Sequence, residues 1–429
     1  MNNLAVSGGK PVRIKMFPAN ITIGQEEKNA VNRVLESGIL SKYLGSHHEN
    51  FMGGPEVRAL EEEWAEYFDV KHAIAVNSAT SGLYCAVGAI GIEPGDEVIV
   101  PPFTMSATVM APIIYGGMPV FVDIESDYFC IDPEKIREKI TSKTRAIMCV
   151  DLFGHPCNYN EIKKIAAEND LKIIEDCSQS PGAKYDGRIA GTISDIGVFS
   201  LNYHKHIQCG EGGIIVTNND SFAERLSLIR NHAEAVVEEK KIEDLTNMVG
   251  FNFRMTEIEA TIARCQLQKL EEFNSIRIEN ANYISNKLRD IPAITVPRVS
   301  PSCKHVYYVH ACKFNKGLAE ISRNTYINAV KAELMPFEKR ESEGVKLNSG
   351  YVNPLNKLPL FKKKIAFGSK GYPFVKEQQS YFDSEYEVAE SMQENELFIH
   401  EFILPSMTKA DMDDVVDAFY KVWDKRSYL

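Results

Sequence analysis

Residues 197–217 read GVFSLNYHKHIQCGEGGIIVT, which is two short apolar runs on either side of a polar loop. The runs Gly197–Phe199 and Gly213–Thr217 are rich in Val, Ile and Phe. Runs of this length and composition are typical of β-strands that are buried on both faces. The sequence therefore predicts two strands joined by a loop that carries Lys205.

The same pattern continues on both sides of this stretch. Five further short apolar runs predict strands: Ala73–Val76, Glu97–Val100, Val120–Asp123, Ala146–Val150 and Lys172–Ile174. Apolar residues at helical spacing predict helices over Gly24–Ser37, Glu56–Phe68, Thr80–Ala89, Ala107–Tyr115, Asn160–Ala167 and Ser221–Arg230. This alternation predicts an α/β fold in which a mostly parallel sheet lies between helices and binds ligands at the carboxyl ends of its strands.

The pattern changes in the last third of the chain. Two longer helices are predicted over Thr256–Glu272 and Ser275–Leu288. Beyond about Pro292, His305–Lys313 alternates like an antiparallel strand and Lys409–Trp423 is an amphipathic helix. We therefore expect three parts: an N-terminal arm (residues 1–20), a large α/β domain (21–290) and a smaller C-terminal α+β domain (291–429).

Residues 338–395 are predicted to be a long insertion in the smaller domain. The segment is polar and shows little periodicity. The run of Lys362, Lys363 and Lys364 is interpreted as a solvated face. Because long loops in compact domains tend to be functional or mobile, a lid over a substrate site is the alternative.

Composition and charge exclude several functional classes. The 429 residues carry 48 Lys and Arg against 59 Asp and Glu, a net charge of −11, which gives no support to a broad nucleic-acid or anionic-membrane surface. No apolar run approaches the roughly 18 residues of a membrane span and no signal-peptide pattern is found, so we expect a cytoplasmic protein. The nine scattered cysteines, without a CxxC pair, indicate reduced thiols rather than disulfides or a zinc site.

Small and hydroxyl-bearing residues occupy Asn77–Gly82, where a predicted strand turns into a helix. Unpaired N–H groups and the positive end of the dipole at a helix N-terminus suit a phosphate. Ser and Thr also begin helices simply as caps. From these residues alone, capping is the favoured interpretation.

A second group lies at the end of the strand predicted from Lys172, where Glu175 and Asp176 are followed by Gln179. An acid at this position can bind a metal, act as a general base or pair with a cationic ring nitrogen. An Asp that caps the next helix is the simpler alternative, and it is favoured when these residues are taken alone.

The third group is Lys205 with His204 and His206 on either side. Strands border this loop, so the lysine is expected to be partly desolvated and close to other potential cations. Both conditions lower a lysine pKa and make the amine nucleophilic, as Schiff-base chemistry requires. An ordinary exposed loop lysine is the alternative. A metal site on the two histidines is disfavoured because no third ligand is evident.

In this order, the three groups resemble those of the DegT/DnrJ/EryC1/StrS sugar aminotransferases, which are fold type I enzymes dependent on pyridoxal 5′-phosphate. The resemblance runs from about Pro18 to Val422. It implies that Asp176 pairs with the pyridine nitrogen, that Gln179 lies near the ring hydroxyl and that Lys205 forms the Schiff base with the cofactor. The residues implied to bind the phosphate are Ala79, Thr80 and Ser200.

Some members of this family carry a histidine in place of the lysine and dehydrate a keto sugar, so the alignment around His204 and Lys205 is important. Lys205 is five residues after Ser200 and five before Gly210. Both counts assign the family's lysine position to Lys205, and they favour a transaminase.

Three further segments bear on the resemblance. Residues 250–257 resemble a Gly-Tyr-Asn-Tyr-Arg segment whose asparagine reaches the cofactor phosphate of the other subunit, so Asn252 implies a homodimer with shared sites. Met105 stands where the family usually has an aromatic residue stacked on the cofactor ring, and a thioether can still pack on a ring face. Residues 351–356 (Tyr-Val-Asn-Pro-Leu-Asn) depart from a common Tyr-x-x-Pro-Leu-His segment.

The resemblance implies transfer of an amino group from an amino acid, L-glutamate by family habit, to a keto sugar, nucleotide-linked or not, or to a cyclitol. One alternative is a dehydratase or other lyase that uses the same cofactor and scaffold. The other is a non-catalytic sensor that binds the cofactor or a nucleotide, although intact Lys205 and Asp176 argue against a silent protein.

Overall fold

The structure is a computed structural model that describes residues 4–374 and 386–429. Within these residues the strands form three sheets. The central sheet has seven strands: β1 (His72–Val76), β2 (Glu97–Val100), β3 (Met118–Phe121), β4 (Thr144–Val150), β5 (Lys172–Asp176), β8 (Ile196–Ser200) and β9 (Gly213–Thr217). A small sheet comprises β6 (Lys184–Tyr185), β7 (Arg188–Ile189) and β11 (Cys303–Lys304), and the third sheet comprises β10 (Ile294–Thr295), β12 (His310–Phe314), β13 (Leu347–Ser349) and β14 (Leu397–His400).

The central sheet has the predicted, mostly parallel arrangement. Its strand order is β1-β9-β8-β5-β4-β2-β3, and β9 runs antiparallel to both of its neighbours while the other pairs are parallel. Nearly all of its residues are buried, which explains why its strands read as continuous apolar runs. The predicted strands occur with ends that shift by a residue or two. The prediction of Val120–Asp123 was two residues late, because β3 covers Met118–Phe121.

Helices cover the central sheet and surround the third sheet. In chain order they are α1 (Gln25–Ser37), α2 (Pro55–Phe68), α3 (Ala79–Ala89), α4 (Ala107–Ile114), α5 (Pro133–Lys139), α6 (Tyr159–Glu168), α7 (Asp220–Arg230), α8 (Glu257–Leu267), α9 (Leu270–Leu288), α10 (Lys316–Ala319), α11 (Arg323–Ala332), α12 (Pro359–Lys363), α13 (Glu387–Ser391) and α14 (Lys409–Asp424). None of the described helices is long and apolar enough to cross a membrane.

Two predicted elements were wrong at their ends because long-range contacts decide them. The helix predicted over Thr256–Glu272 stops at Leu267 and α9 begins at Leu270. At this break, Lys269 Nζ pairs with Glu27 Oε1 of α1 at 2.6 Å. The break between the two helices was thus predicted about five residues too late, and its observed position coincides with a contact to a distant helix.

The strand predicted over His305–Lys313 begins only at His310. Tyr307 has a φ of 52°, in the left-handed region that interrupts a strand. The Arg277 guanidinium donates to the carbonyl oxygens of Tyr307 and Tyr308, at 3.3 Å each. These bonds occupy backbone acceptors that a ladder would otherwise use.

The N-terminal arm packs against the C-terminal part of the chain. The buried carboxylate of Glu333 accepts the N–H of Ala5 at 2.8 Å and the N–H of Val12 at 3.0 Å. The Phe17 ring packs against those of Phe337 and Phe402. The division of the chain at residues 20 and 290 stays a prediction.

The described part of the 338–395 insertion is more regular than its sequence indicates, since it contains β13, α12 and α13. It is attached to the central sheet at several points. Leu355 N–H donates to the Pro102 carbonyl at 2.7 Å, and the Phe361 and Phe121 rings meet edge to face at 5.1 Å. The Asp123 carboxylate accepts the N–H groups of Val388 and Ala389 at 3.0 Å. Lys362 and Lys363 are exposed, as the prediction of a solvated face requires.

A buried chain of hydrogen bonds links the third sheet to α9. Phe402 N–H donates to His400 Nδ1 at 3.3 Å, so a neutral His400 carries its proton on Nε2. That nitrogen lies 2.9 Å from His310 Nδ1, and His310 Nε2 lies 2.7 Å from Ser285 Oγ. Burial lowers the pKa of His310 and lowers that of His400 to about 3, which keeps both rings neutral. The bonds therefore run in one direction, and the Ser285 oxygen is the acceptor at the end.

This direction predicts the effect of removing the Ser285 hydroxyl. In Ser285→Ala the buried His310 N–H loses its acceptor, so we expect the free energy of unfolding to fall by about 1–3 kcal/mol. Denaturant titration of the full chain measures the change. Ser142→Ala, at an exposed turn serine, serves as the control and is expected to leave stability unchanged. Equal stability of the two variants would contradict the proposed direction.

Candidate active site

A cavity of about 480 Å³ opens at the carboxyl ends of the central strands, where the fold predicts a ligand. Asp176 ends β5 and Ser200 ends β8, and the first turn of α3 and the loop between β8 and β9 complete this side. The C-terminal part contributes Tyr308 and Tyr351 to the opposite wall. Seven of the predicted site residues line this one cavity: Ala79, Thr80, Met105, Asp176, Gln179, Ser200 and Lys205.

Lys205 lies in the loop between β8 and β9. Its ammonium nitrogen is 4.5 Å from the centre of the Tyr308 ring, and no described residue offers the side chain a hydrogen bond or an ion pair. Burial lowers the pKa of Lys205 to about 8, and the negative charge of Asp176 opposes this shift. The side chain is thus a partly desolvated amine rather than an ordinary exposed loop lysine.

The lowered pKa makes a prediction for the cofactor-free protein. Acylation requires the neutral amine, so Lys205 should reach half of its maximal labelling rate near pH 8, well below exposed lysines with pKa values of about 10.4. Pulse labelling at a series of pH values, read by peptide mass spectrometry, measures this midpoint. Lys164, exposed on α6, is the internal control. A midpoint for Lys205 equal to that of Lys164 would contradict its desolvation.

Asp176 is held in a fixed orientation at the end of β5. It is only 5% exposed. Thr108 Oγ1 on α4 donates to its Oδ2 at 3.1 Å, and Ser178 N–H donates to its Oδ1 at 3.2 Å. These bonds fix the orientation of the two carboxylate oxygens. Thr108 was not predicted, because a single threonine in an apolar helix carries no signal of such a role.

Gln179 is fixed by two contacts from distant parts of the chain. Its Oε1 accepts the N–H of Phe153 at 2.8 Å, and its Nε2 donates to the Tyr351 hydroxyl at 3.0 Å. Tyr351 belongs to the 338–395 insertion, so the insertion reaches the cavity wall itself. Tyr308 and Tyr351 were not predicted as site residues, although residues 351–356 were singled out as a departure from the family segment.

The N-terminus of α3 faces the cavity. Ser78 is its cap, since Ser78 Oγ accepts the Ser81 N–H at 3.1 Å, so the capping interpretation is confirmed for this serine. Capping leaves other N–H groups of the first turn, which begins at Ala79 and Thr80, without intrahelical acceptors. A Cβ on Gly213 would lie 2.6 Å from the Ala79 nitrogen, so β9 approaches this turn closely only because residue 213 is glycine. The structure therefore shows a capped helix whose first turn lines the cavity, and binding of a phosphate there stays a prediction.

Two predicted residues have more exposed positions. Met105 lines the cavity and is 55% exposed. Asn252 is exposed and does not line the cavity of its own chain, and it forms an isolated bridge with Asn231. The structure thus separates Asn252 from the other predicted residues, and its role toward a second subunit stays a prediction.

The histidines beside Lys205 have separate partners. His204 Nδ1 lies 3.2 Å from Asn202 Oδ1, and His206 Nε2 lies 3.1 Å from the Val306 carbonyl.

A buried cluster of potential metal ligands consists of Asp151, Glu175 and Cys177, whose ligand atoms lie within 4.8 Å of one another. The carboxylates of Asp151 and Glu175 already accept hydrogen bonds. Glu175, for example, accepts the backbone N–H groups of Gly191, Ile193 and Ser194. This buried group supports the strand ends.

The sequence model of the DegT/DnrJ/EryC1/StrS aminotransferase family matches residues 22–420. The chain belongs to this family. Among family relatives, an uncharacterized protein of Methanocaldococcus jannaschii, MJ1066, is 31% identical, over 94% of this chain and 97% of the relative. GDP-perosamine synthase of Escherichia coli O157:H7 is 35% identical, over 66% of this chain and 74% of the synthase.

Solved structures agree with this membership. An aminotransferase from Psychrobacter cryohalolentis is 28% identical and superposes with a TM-score of 0.81, over 95% of this chain and 99% of the other. NtdA of Bacillus subtilis, solved with the bound cofactor PMP, is 27% identical with a TM-score of 0.74, over 93% of this chain and 82% of the other. The DegT/DnrJ/EryC1/StrS chain described here therefore has the predicted fold type I α/β architecture, and the predicted aminotransferase family is confirmed.

Proposed function

We propose that this sugar aminotransferase family member uses pyridoxal 5′-phosphate to move an amino group from L-glutamate to the ketone of a nucleotide-linked sugar, with a cyclitol as the second candidate acceptor. The observation that carries the proposal is the single cavity in which a desolvated amine, a buried carboxylate and a helix N-terminus meet. The name of the relative in E. coli, GDP-perosamine synthase, supports a nucleotide-linked acceptor.

The donor set of the cavity fits this cofactor in three places. The first turn of α3, with the hydroxyls of Thr80 and Ser200, suits a phosphate group. The Asp176 carboxylate suits a protonated ring nitrogen, and the Lys205 amine suits an aldehyde. When bound, the cofactor supplies an electron sink that stabilises negative charge on the substrate carbon next to the transferred nitrogen.

The residues of this chain then have distinct tasks. With a pKa near 8, Lys205 can take a proton from the substrate carbon and return it, because its two protonation states are close in free energy. Thr108 and Ser178 hold the Asp176 carboxylate in place, and Phe153 and Tyr351 hold Gln179. Such fixed polar groups need no reorganisation as charge develops.

Release of 2-oxoglutarate tests the proposal. Purified protein, supplied with cofactor and L-glutamate, is offered a panel of nucleotide-linked keto sugars and keto cyclitols. Transfer predicts one 2-oxoglutarate for each aminated acceptor. Conversion of a keto sugar without use of glutamate would instead identify a lyase, and absence of turnover across the panel with bound cofactor would favour the sensor.

We also propose a homodimer with shared sites. Four apolar side chains, those of Leu40, Leu44, Met52 and Val249, are exposed, and we group them as the apolar patch that a second copy would cover. Asn231, the bridge partner of Asn252, donates from its Nδ2 to the Leu44 carbonyl at 2.9 Å, so Leu44 and Asn252 contact the same residue. A second copy that covers the patch would bring Asn252 toward the other cavity.

Charge on the patch tests the dimer. Val249 is 67% exposed, and Val249→Asp should shift the protein toward monomer in sedimentation velocity and lower kcat by about tenfold or more, because covering a carboxylate in an apolar interface is costly. Val6→Asp, at a valine that is 50% exposed near the N-terminus, is the matched control and should change neither. A Val249→Asp variant that keeps the mass of the unmodified protein would contradict the patch assignment.

For location, we propose the cytoplasm. All nine cysteines are free thiols in the structure, seven of them buried. Free thiols are the usual state of cysteine in a reducing compartment, which supports the proposal.

A further inference from the structure

A second cavity, of about 580 Å³, lies along the C-terminal half of α9 and shares no lining residue with the candidate active site. One side is formed by residues of α9 and its end, and the other by residues 294–299. The rings of Tyr128 and Tyr307 complete it. We call this cavity the α9 groove. Its volume is within the range of small-molecule sites.

The floor of the α9 groove holds an oriented hydroxyl. Ser285 lines it and is 7% exposed. Because the hydrogen-bond chain from Phe402 runs through His400 and His310 to the Ser285 oxygen, that oxygen acts as acceptor and its own proton is directed elsewhere. No described residue accepts this proton. The Ser285 hydroxyl can therefore donate its proton into the α9 groove.

The charge of the α9 groove is positive. Its two charged lining residues are Arg289 and Arg298, and no carboxylate is among the described residues that line it. Arg298 pairs with Asp127 at 2.6 Å, and Lys313 shares that carboxylate at 2.8 Å. The Arg289 guanidinium has no hydrogen bond or ion pair with any described residue. The amides of Asn282 and Asn286 add further donors.

We propose that the α9 groove binds a phosphate ester, with the Ser285 hydroxyl and the Arg289 guanidinium as donors to the phosphate. A phosphate offers three terminal oxygens to donors that come from different directions, whereas a carboxylate offers two. The aromatic rings and Pro297 suit the organic part of the ester, for which the volume leaves room. This ligand would accept the Ser285 proton and pair with the exposed Arg289 guanidinium.

Calorimetric titration of the full-length protein with glucose 1-phosphate tests the proposal, with glucose as the uncharged control. We expect binding of the phosphate ester and none of glucose. Arg289→Ala should weaken binding by about tenfold or more, since a hydrogen bond to a charged group is lost. Arg188→Ala is the control, because it also removes one positive charge but at an exposed arginine of β7 that does not line the α9 groove. It should leave binding unchanged.

Two further variants separate the α9 groove from the active site. Lys205→Ala should bind glucose 1-phosphate as the unmodified protein does, so failure of the proposed aminotransferase function would leave this result standing. Ser285→Ala, measured under conditions where its folded signal is intact, should weaken binding by about tenfold. Absence of binding by the unmodified protein at millimolar concentration, or equal binding by Arg289→Ala, would overturn the proposal.

Discussion

Lys205→Ala is expected to abolish amino transfer while the fold persists. In the proposed function the Lys205 amine is the nucleophile for the cofactor and the group that moves a proton on the substrate carbon, and a methyl group can do neither. General acid–base catalysis alone contributes about 10²–10⁴-fold, so we expect kcat to fall by at least about 10³-fold. Because the amine forms no hydrogen bond or ion pair with a described residue, its removal leaves no partner unsatisfied.

The measurement is 2-oxoglutarate release together with the visible absorbance of the purified protein, which Lys205→Ala should lose. Circular dichroism and thermal unfolding report on the fold. Lys164→Ala, at an exposed position of α6, is the matched control and should retain full activity. Undiminished turnover by Lys205→Ala would remove the assignment of this lysine, whatever the state of the cofactor.

Asp176→Asn is expected to have the second largest effect. The substitution keeps the shape of the side chain and one of its two acceptor contacts, with Thr108 or with Ser178, but removes the negative charge. A neutral amide cannot hold a ring nitrogen in its protonated form, so the electron sink is weakened. We expect kcat to fall by about 10²-fold or more and the cofactor to be retained less well on dialysis.

The same variant should change the amine on the other side of the cavity. Asp176 opposes the lowering of the Lys205 pKa, so its neutralisation should move the labelling midpoint of Lys205 below pH 8. Asp170→Asn, at an exposed residue with a φ of 52° that asparagine tolerates, is the control and should change neither property. Normal activity and an unchanged midpoint in Asp176→Asn would refute the role of this carboxylate.

Much of the fold could be predicted because its central strands are buried on both faces. Such strands need apolar residues at every position, and Gly, Pro and Asp mark their ends, so β2 and β9 were predicted with the observed bounds. The end of α8 and the start of β12 were not, because Lys269 and Arg277 set them through contacts with distant residues. The periodicity of a short segment does not predict contacts with residues that are distant in the sequence.

The candidate site divides in the same way. Asp176, Ser200 and Lys205 lie at or just beyond strand ends. Their order along the chain was sufficient to predict that they share one cavity. Thr108 and Tyr351 reach the site across 68 and 172 residues, and neither stands in a pattern that marks it. Asn252 is exposed and does not line the cavity of its own chain, so the role that the resemblance implies for it would require a second subunit.

The bond between Tyr351 and Gln179 has a consequence for how the insertion can vary. The insertion contacts the large domain through Leu355 and Phe361, and Tyr351 contacts Gln179 a few residues before these two contacts. Residues farther along the insertion, such as Lys362 and Lys363, are exposed and do not line the cavity. Substitutions in this outer part would therefore leave the hydrogen bond between Tyr351 and Gln179 in place, so the surface of the insertion can vary without moving Gln179.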